Sequence, residues 1–236
     1  CHLILGILKM AFYQYLQAHA EKNPSHPAII EGDSCLSYGD FVSQIERFAS
    51  AISKLKLNSQ SKIGLLCLNQ TEYLIAFLAA LLKGVPVIPF NFLLKPEDLA
   101  YIAQDAGIDT LVVDSVFVKP EVAPFFKFFP NKILIGPADP DQVGEGTQRW
   151  DEFMDMGTPG DPLERHEREG NIPDVILYTS GTTAKPKGVM LEENQFDTNC
   201  TGFLEHLQFT AEDRVIVALP LFHSFGNIMA LVLLRS

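Results

Sequence analysis

The 236-residue sequence has little positive charge, few cysteines and no uninterrupted apolar run of membrane-spanning length. Its 18 Lys and Arg against 29 Asp and Glu leave a net charge of −11, which argues against nucleic-acid binding. The four cysteines include no C-x-x-C pair, so they indicate neither a zinc site nor a disulfide framework, and we expect a cytoplasmic protein. Residues 74–90 are apolar but are broken by a lysine, a glycine and two prolines, so we expect at most peripheral membrane association.

From residue 62 onward, short apolar segments alternate with amphipathic ones, which is the pattern of βαβ crossovers. Since these crossovers join parallel strands, we predict an α/β fold with a mostly parallel, βαβ-layered sheet. The predicted strands are 63–68, 85–90, 110–113, 132–135, 175–178 and 214–219. The predicted helices are 71–83, one from Pro96 to a C-capping Gly107, and 191–207, whose inward face would carry Phe196, Cys200, Phe203, Leu204 and Leu207.

The first 57 residues follow a different pattern. Residues 11–22 favour a helix, two short strands flank the turn pair Gly32-Asp33, and Ser37 is a candidate N-cap for a second helix. We therefore divide the chain into a helix–hairpin–helix segment, 10–57, and a βαβ subdomain, 60–236. Residues 1–9 are expected to be an upstream or disordered extension, with Met10 as the natural start.

Two stretches between the strands are less regular. Residues 120–130 carry four phenylalanines, which favour a short helix buried on two sides over an exposed contact surface. Residues 137–173 are rich in Pro, Gly and acidic residues; a helical turn is predicted at 150–156 and a solvated charged loop at 161–170.

The run Tyr178–Gly188, YTSGTTAKPKG, combines the residue types of a phosphate-binding loop. It follows an apolar strand, and open α/β sheets bind ligands at the carboxyl ends of their strands. Glycine lets the backbone approach an anion, hydroxyls donate hydrogen bonds, and lysines supply positive charge. The candidate phosphate-binding residues are Thr179, Ser180, Gly181, Thr182, Thr183, Lys185, Lys187 and Gly188.

Composition alone would also fit a solvated Ser/Thr/Gly linker, and the preceding strand is what favours a binding loop. The run is not a Walker A loop, because Pro186 stands where that motif requires glycine. A G-x-S-x-G nucleophile elbow is likewise absent from the sequence, so nothing indicates a serine hydrolase.

A second motif, Leu219–Gly226 or LPLFHSFG, follows the last predicted strand. His223 and Phe222 would lie at the carboxyl end of that strand, where substrates bind, and Gly226 would allow the turn into the next helix. Taken alone, His223 is more often a structural histidine than a substrate contact.

With both motifs in order, the chain resembles the acyl-adenylate-forming ligases: acyl-CoA synthetases, luciferases and peptide-synthetase adenylation domains. YTSGTTAKPKGVM is similar to their nucleotide-phosphate signature, with Ala184 where the family usually has glycine. The P-x-F-H-x-x-G segment resembles the family segment that lines the acyl site. The resemblance implies the N-terminal domain of such an enzyme, with ATP and Mg²⁺ as cofactors and Thr179 as a metal ligand.

The resemblance further implies that a carboxylic acid is converted to acyl-AMP and then to a thioester of coenzyme A or of an acyl-carrier protein. The segments NFLLKPEDL (from Asn91) and LFHSFG are most similar to fatty-acyl members, so a medium- or long-chain fatty acid is the expected substrate and an aromatic acid the second choice. The alternatives are a peptide-synthetase or luciferase-like adenylation domain, and a nucleotide-binding module without activity.

The resemblance covers residues 11–236, which is the first half or less of such an enzyme. The family's ribose-binding aspartate and its C-terminal domain, with the catalytic lysine, lie beyond the matched part. We therefore expect no catalytic residue within these 236 residues and no activity from them alone.

Overall fold

The N-terminal part of the fold consists of two helices and a hairpin. The computed structural model describes residues 11–160, 173–179, 185–210 and 212–236. Helix α1 (Ala11–Lys22) precedes the antiparallel hairpin of β1 (Pro27–Glu31) and β2 (Ser34–Ser37), which leads into α2 (Tyr38–Ile52). Ser37 caps α2, because its Oγ accepts a hydrogen bond from the Asp40 N–H at 3.1 Å. The predicted hairpin and N-cap are confirmed.

A seven-stranded sheet forms the centre of the fold. In chain order its strands are β3 (Ile63–Leu66), β4 (Val87–Pro89), β5 (Thr110–Asp114), β6 (Asn131–Ile135), β7 (Thr147–Arg149), β8 (Val175–Thr179) and β9 (Lys187–Leu191). Their order across the sheet is β7-β6-β5-β3-β4-β8-β9. Every neighbouring pair is parallel except β8 and β9, which form an antiparallel hairpin. The predicted α/β fold with a mostly parallel sheet is confirmed.

Helices cover both faces of this sheet. They are α3 (Thr71–Lys83), α4 (Pro96–Ala106), α5 (Ala123–Phe126), α6 (Pro140–Val143), α7 (Trp150–Met156), α8 (Glu193–Leu207) and α9 (Ser224–Arg235). One buried apolar core joins the sheet to α1, α2, α3, α7, α8 and α9, and a second joins its other face to α4, α5 and α6. As predicted, Gly107 ends α4 with a left-handed φ of 64°. Burial on both faces explains why the central strands are apolar throughout.

One predicted strand is wrong. Residues 214–219 carry a continuous apolar run like that of a buried strand, yet they have no regular structure and pair with none of the described strands. Their side chains are largely exposed, and Ile216 is 90% accessible. An apolar run becomes a strand only where another backbone supplies hydrogen bonds, and the described part of the chain supplies no such strand at this segment.

Two strands were not predicted. The side chains of β9 are almost all exposed and those of β7 are half-buried, so neither gives the apolar run that marks a buried strand. Because Lys187–Leu191 is a strand, the predicted helix 191–207 begins only at Glu193. Phe196 and Cys200 face inward as predicted, whereas Leu207, in the last turn, is 47% exposed.

The phenylalanine-rich stretch is mainly core. Phe125, Phe126 and Phe129 are buried around α5, which confirms the predicted buried helix, while Phe128 is 39% exposed.

The predicted helical turn is α7, Trp150–Met156. Met10 and the charged loop 161–170 lie outside the described residues. Across the described ranges, none of the helices combines the length and apolarity needed to cross a membrane.

Candidate functional site

The phosphate-loop motif is carried by the β8–β9 hairpin. Thr179, the last residue of β8, is exposed and lies directly opposite Lys187 of β9. Lys187 and Gly188 therefore belong to a strand and not to the loop in which the sequence placed them. Ser180, Gly181, Thr182 and Thr183, with Ala184, lie outside the described residues.

Pairing across the hairpin fixes which way the two polar side chains project. Side chains directly opposite each other on antiparallel strands share a face, so the Thr179 hydroxyl and the Lys187 ammonium lie on the same side. Side chains also alternate along a strand, which puts Thr179 on the face of Val175 and Leu177. Those two residues belong to the core that includes α9. The Thr179–Lys187 pair thus projects from the α9 side of the sheet.

The opposite face of β8 is tied to α4. The Tyr178 hydroxyl donates to the Asp105 carboxylate at 2.6 Å, and the Tyr101 hydroxyl reaches the same carboxylate at 3.3 Å. The Lys185 ammonium lies 4.8 Å from the centre of the Tyr101 ring, a cation–π contact. Partial burial raises the pKa of Tyr178, and its hydrogen bond to Asp105 and that residue's negative charge raise it further. Tyr178 and Lys185, which lie on either side of the loop, are therefore both in contact with α4.

This anchor also explains a glycine in the motif. A Cβ at Gly188 would lie 2.9 Å from Ile176 Cγ2 and 3.2 Å from the Tyr178 ring. Only a residue without a side chain lets the tyrosine ring lie across β9 at this distance. Tyr101 and Asp105 were missed from the sequence, because they lie in an ordinary amphipathic helix 73 or more residues from their partners.

The second motif is a turn that leads into α9. His223 is the N-cap of α9, and its Nδ1 accepts the Phe225 N–H at 3.3 Å, which leaves the proton of a neutral ring on Nε2. The imidazole is exposed. The Phe222 ring meets Phe92 edge to face at 4.8 Å, and Phe92 stacks on Phe117 at 5.5 Å. The motif thus presents one exposed imidazole beside a short wall of aromatic rings.

Gly226 is required by close backbone packing. A Cβ there would lie 2.9 Å from the Leu219 carbonyl oxygen and nearer still to the Pro220 oxygen. The Pro220 carbonyl accepts the His223 N–H at 3.0 Å, so the turn folds tightly over the first turn of α9. This confirms that Gly226 permits the turn into the helix.

Three polar side chains hold the turn in place, and the sequence indicated none of them. Asn69, just after β3, accepts the Leu221 N–H at 2.8 Å and donates to the Leu219 carbonyl at 2.8 Å. The Tyr73 hydroxyl donates to the Leu221 carbonyl at 2.8 Å and accepts from Asn227 Nδ2 at 2.9 Å. Tyr73 and Asn227 are fully buried.

Both motifs lie at the carboxyl edge of the parallel sheet. Phe92 follows β4 and Phe117 follows β5, so the ring of Phe222 rests over the carboxyl ends of these strands. The phosphate-loop motif leaves the carboxyl end of β8, the neighbour of β4. The two predicted site segments therefore occupy the edge where open α/β sheets bind their ligands.

The described residues offer no metal site of their own. None of the described parts of the chain brings together three or more His, Cys, Asp or Glu side chains that could hold an ion. Thr179 supplies one exposed hydroxyl at the end of β8. A separate cavity of about 560 Å³ lies between the β1–β2 hairpin and residues 212–217, and no candidate site residue lines it.

Comparison with known proteins identifies a family. A family model described as "AMP-binding enzyme" matches residues 16–236. Indoleacetate–CoA ligase of Aromatoleum aromaticum is 28% identical over 92% of this chain and 42% of its own length. Bacitracin synthase 2 of Bacillus licheniformis is 29% identical over 77% of the chain but only 6% of its own length. A human long-chain-fatty-acid–CoA ligase is 25% identical over 93% of the chain and 35% of its own length.

Solved structures share the fold. A long-chain-fatty-acid–CoA ligase from Archaeoglobus fulgidus has a TM-score of 0.79 at 22% identity, over 94% of this chain and 45% of that one. O-succinylbenzoate coenzyme A synthetase from Bacillus subtilis, solved with ATP and magnesium ion, has a TM-score of 0.69 at 23% identity, over 93% and 54%. The chain thus spans about half the length of these neighbours, and less than half of the curated relatives.

Proposed function

The chain belongs to the AMP-binding enzyme family, and on that basis we propose that it is the N-terminal part of an enzyme that activates a carboxylic acid with ATP. In the first step a carboxylate oxygen attacks the α-phosphorus, the bond to the bridging oxygen breaks, and pyrophosphate leaves. In the second step a thiol sulfur attacks the acyl carbon, the acyl–oxygen bond of the acyl-AMP breaks, and AMP and the thiol proton are released.

The observation that carries this proposal is the β8–β9 hairpin, which presents Thr179 opposite Lys187 at the carboxyl edge of the sheet. The attacking carboxylate is already an anion, so the protein need not remove a proton from it. What it must supply is positioning and neutralisation of the phosphate charge. Lys187 is an exposed cation on a chain of net charge −11, and together with Lys185 and the hydroxyls of 179–183 it would bind the phosphates.

Mg²⁺ fits this site only together with the nucleotide. The Thr179 hydroxyl would be its protein ligand, and the remaining ligands would come from phosphate oxygens and water, which is how Mg²⁺ is usually held beside a nucleotide. When bound, Mg²⁺ neutralises charge on the phosphate oxygens.

The acyl group would lie along His223 and Phe222, with Gly226 shaping the turn beneath them. Phe92 and Phe117 extend this apolar surface, which supports a medium- or long-chain fatty acid as substrate. An aromatic acid is the second choice, because rings also pack well against an aromatic wall. The relatives include both kinds, with indoleacetate and long-chain fatty acids in their names.

A peptide-synthetase adenylation domain is the second candidate function, supported by the similarity to part of bacitracin synthase 2. Coenzyme A would be the thiol acceptor of an acyl-CoA synthetase, and a carrier-bound phosphopantetheine would be that of a peptide-synthetase domain.

We further propose that the chain divides into 10–57 and 60–236, that it acts in the cytoplasm, and that the family's catalytic lysine lies in a domain outside these residues. These 236 residues alone should then give no acid-dependent ATP–pyrophosphate exchange.

ATP binding tests the proposal directly. Calorimetric titration of the chain with ATP and Mg²⁺ should show binding that Lys187→Ala weakens by about tenfold or more, the effect of losing roughly 1.4 kcal/mol of charge-assisted interaction. Lys127→Ala, which removes an exposed lysine near α5, should bind like the wild type. Equal binding by the Lys187→Ala and wild-type chains would overturn the phosphate-binding role. Robust pyrophosphate exchange by the pure chain would overturn the expected inactivity.

A further inference from the structure

The backbone of Leu221 is held by three hydrogen bonds from side chains. Asn69 accepts its N–H at 2.8 Å, Tyr73 donates to its carbonyl at 2.8 Å, and Asn227 Nδ2 reaches the same carbonyl at 3.3 Å. Asn69 also donates to the carbonyls of Leu219 at 2.8 Å and Val217 at 3.3 Å. These three side chains, which we call the Leu221 clamp, come from two places in the chain: Asn69 and Tyr73 lie around the start of α3, and Asn227 lies near the start of α9.

The clamp carries an energetic cost that packing alone does not explain. Tyr73 and Asn227 are fully buried within the main apolar core, and Asn227 Oδ1 has no hydrogen-bond partner among the described residues. A buried polar atom without a partner costs about 1–3 kcal/mol, and an apolar pair of the same shape would avoid that cost. We therefore attribute the polar character of Tyr73 and Asn227 to their hydrogen bonds with the Leu221 carbonyl.

The bound backbone has little else to hold it. Residues 212–220 are mostly exposed and form no strand with the described chain, so the clamp supplies hydrogen bonds that a neighbouring strand would otherwise give. Leu221 lies one residue before Phe222 and two before His223. Fixing the Leu221 peptide consequently fixes the direction in which the Phe222 ring and the imidazole leave the turn.

We propose that Asn69, Tyr73 and Asn227 are positioning residues that set the place of Phe222 and His223 at the acyl site. The acyl role of this site rests on the proposed function, whereas the positioning of Phe222 and His223 does not depend on that function. Asn69 is the most telling member, since one amide spans the carbonyls and the N–H of three residues in the turn. Its loss should release the turn without opening the core, because its side chain is exposed.

Contacts between aromatic rings provide the test. In the wild-type chain, NMR should detect a nuclear Overhauser effect between the rings of Phe222 and Phe92, which lie 4.8 Å apart, and another between Phe92 and Phe117 at 5.5 Å. In Asn69→Ala the Phe222–Phe92 effect should be lost, while the Phe92–Phe117 effect persists as an internal control. Asn199→Ala, which removes an exposed amide bonded only within α8, should keep both.

Tyr73→Phe provides a second measurement, in case Asn69→Ala fails to fold. It removes one hydroxyl and leaves the Asn227–Leu221 bond, so the Phe222–Phe92 effect should weaken without disappearing. An unchanged Phe222–Phe92 effect in both variants would overturn the positioning role. Loss of both effects in Asn69→Ala would show general unfolding of this edge, and Tyr73→Phe then decides, because an unchanged Phe222–Phe92 effect in that variant would overturn the role.

ATP titration separates this proposal from the proposed function. Asn69→Ala should bind ATP like the wild type, because the clamp holds the other segment of the site. If the wild type fails to bind ATP while Asn69→Ala still loses the Phe222–Phe92 contact, the proposed function falls and the positioning role stands. If ATP binds normally and the Phe222–Phe92 contact is unchanged in both Asn69→Ala and Tyr73→Phe, the proposed function stands and the positioning role falls.

Discussion

Replacing Gly226 by alanine should destabilise the chain measurably, even though alanine is the better helix former. Gly226 lies in the first turn of α9, where a Cβ would sit 2.9 Å from the Leu219 oxygen and closer still to the Pro220 oxygen. Both obstructing atoms belong to the backbone, so no side-chain rotation relieves the clash. The turn and the helix must move apart instead.

The magnitude follows from what that movement breaks. Forcing a methyl group into packed surroundings costs about 1–3 kcal/mol. Separation also stretches the 3.0 Å hydrogen bond from the His223 N–H to the Pro220 carbonyl, worth about 1 kcal/mol. Alanine returns up to about 1 kcal/mol through its helix propensity. The net expectation is a loss of about 1–3 kcal/mol in the free energy of unfolding.

Gly202 provides a matched control of opposite sign. It lies within α8, and a Cβ added there would meet no atom within 4 Å. Gly202→Ala should therefore stabilise the chain by up to about 1 kcal/mol through helix propensity alone. Urea unfolding followed by circular dichroism compares the two variants. If Gly226→Ala unfolds at the same urea concentration as the wild type or at a higher one, the steric reasoning is wrong.

Two further predictions concern the contact between β8 and α4 and the packing of α9 against its neighbouring helices. Asp105→Asn should lower the pKa of Tyr178, read from its ring carbon in an NMR titration, but leave it above the usual value of about 10, since burial is the largest cause. Because the folded-state pKa of Tyr178 is raised, its contribution to stability is complete below a pH of about 10 and is lost as the pH rises through the folded-state pKa. If Asp105→Asn leaves the pKa of Tyr178 unchanged, the hydrogen bond assigned between the two residues is wrong. Arg235→Ala should lower the free energy of unfolding in urea by about 1–3 kcal/mol, because Arg235 pairs with Asp197 at 2.7 Å and lies 4.2 Å from the centre of the Tyr15 ring, which joins α9 to α8 and α1. A change near zero would show that these contacts do not stabilise the fold.

The central fold could be predicted because its signals are local. Parallel strands buried on both faces are apolar throughout, and helix ends carry glycine or proline, so β3 to β6 and their helices were recognisable. The edge strand β9 has exposed side chains and gave no such signal. The opposite error occurred at residues 214–219, where an apolar run typical of a strand lacks a pairing partner among the described strands.

The site was predictable only in part, for the same reason. The motifs predict Thr179, Lys187, His223 and Gly226 as site residues from residue type and order. The residues that hold those motifs act across long separations: Tyr178 bonds Asp105 73 positions away, and Leu221 bonds Asn69 152 positions away. Asparagine after a strand and aspartate near a helix end are both common, so nothing local in the sequence identifies the partners of Asn69 and Asp105.

The two motifs have separate supports, and this has a consequence for how damage to the site can be located. The β8–β9 hairpin is bound to α4 through Tyr178 and Asp105, whereas the turn before α9 is bound to the segment after β3 and to α3 through Asn69 and Tyr73. In the sheet, β4 stands between β3 and β8. Since the two sets of hydrogen bonds share no residue, loosening one leaves the contacts of the other intact. A variant that loses ATP binding but keeps the Phe222–Phe92 contact is therefore damaged at the hairpin, and the reverse result identifies the turn.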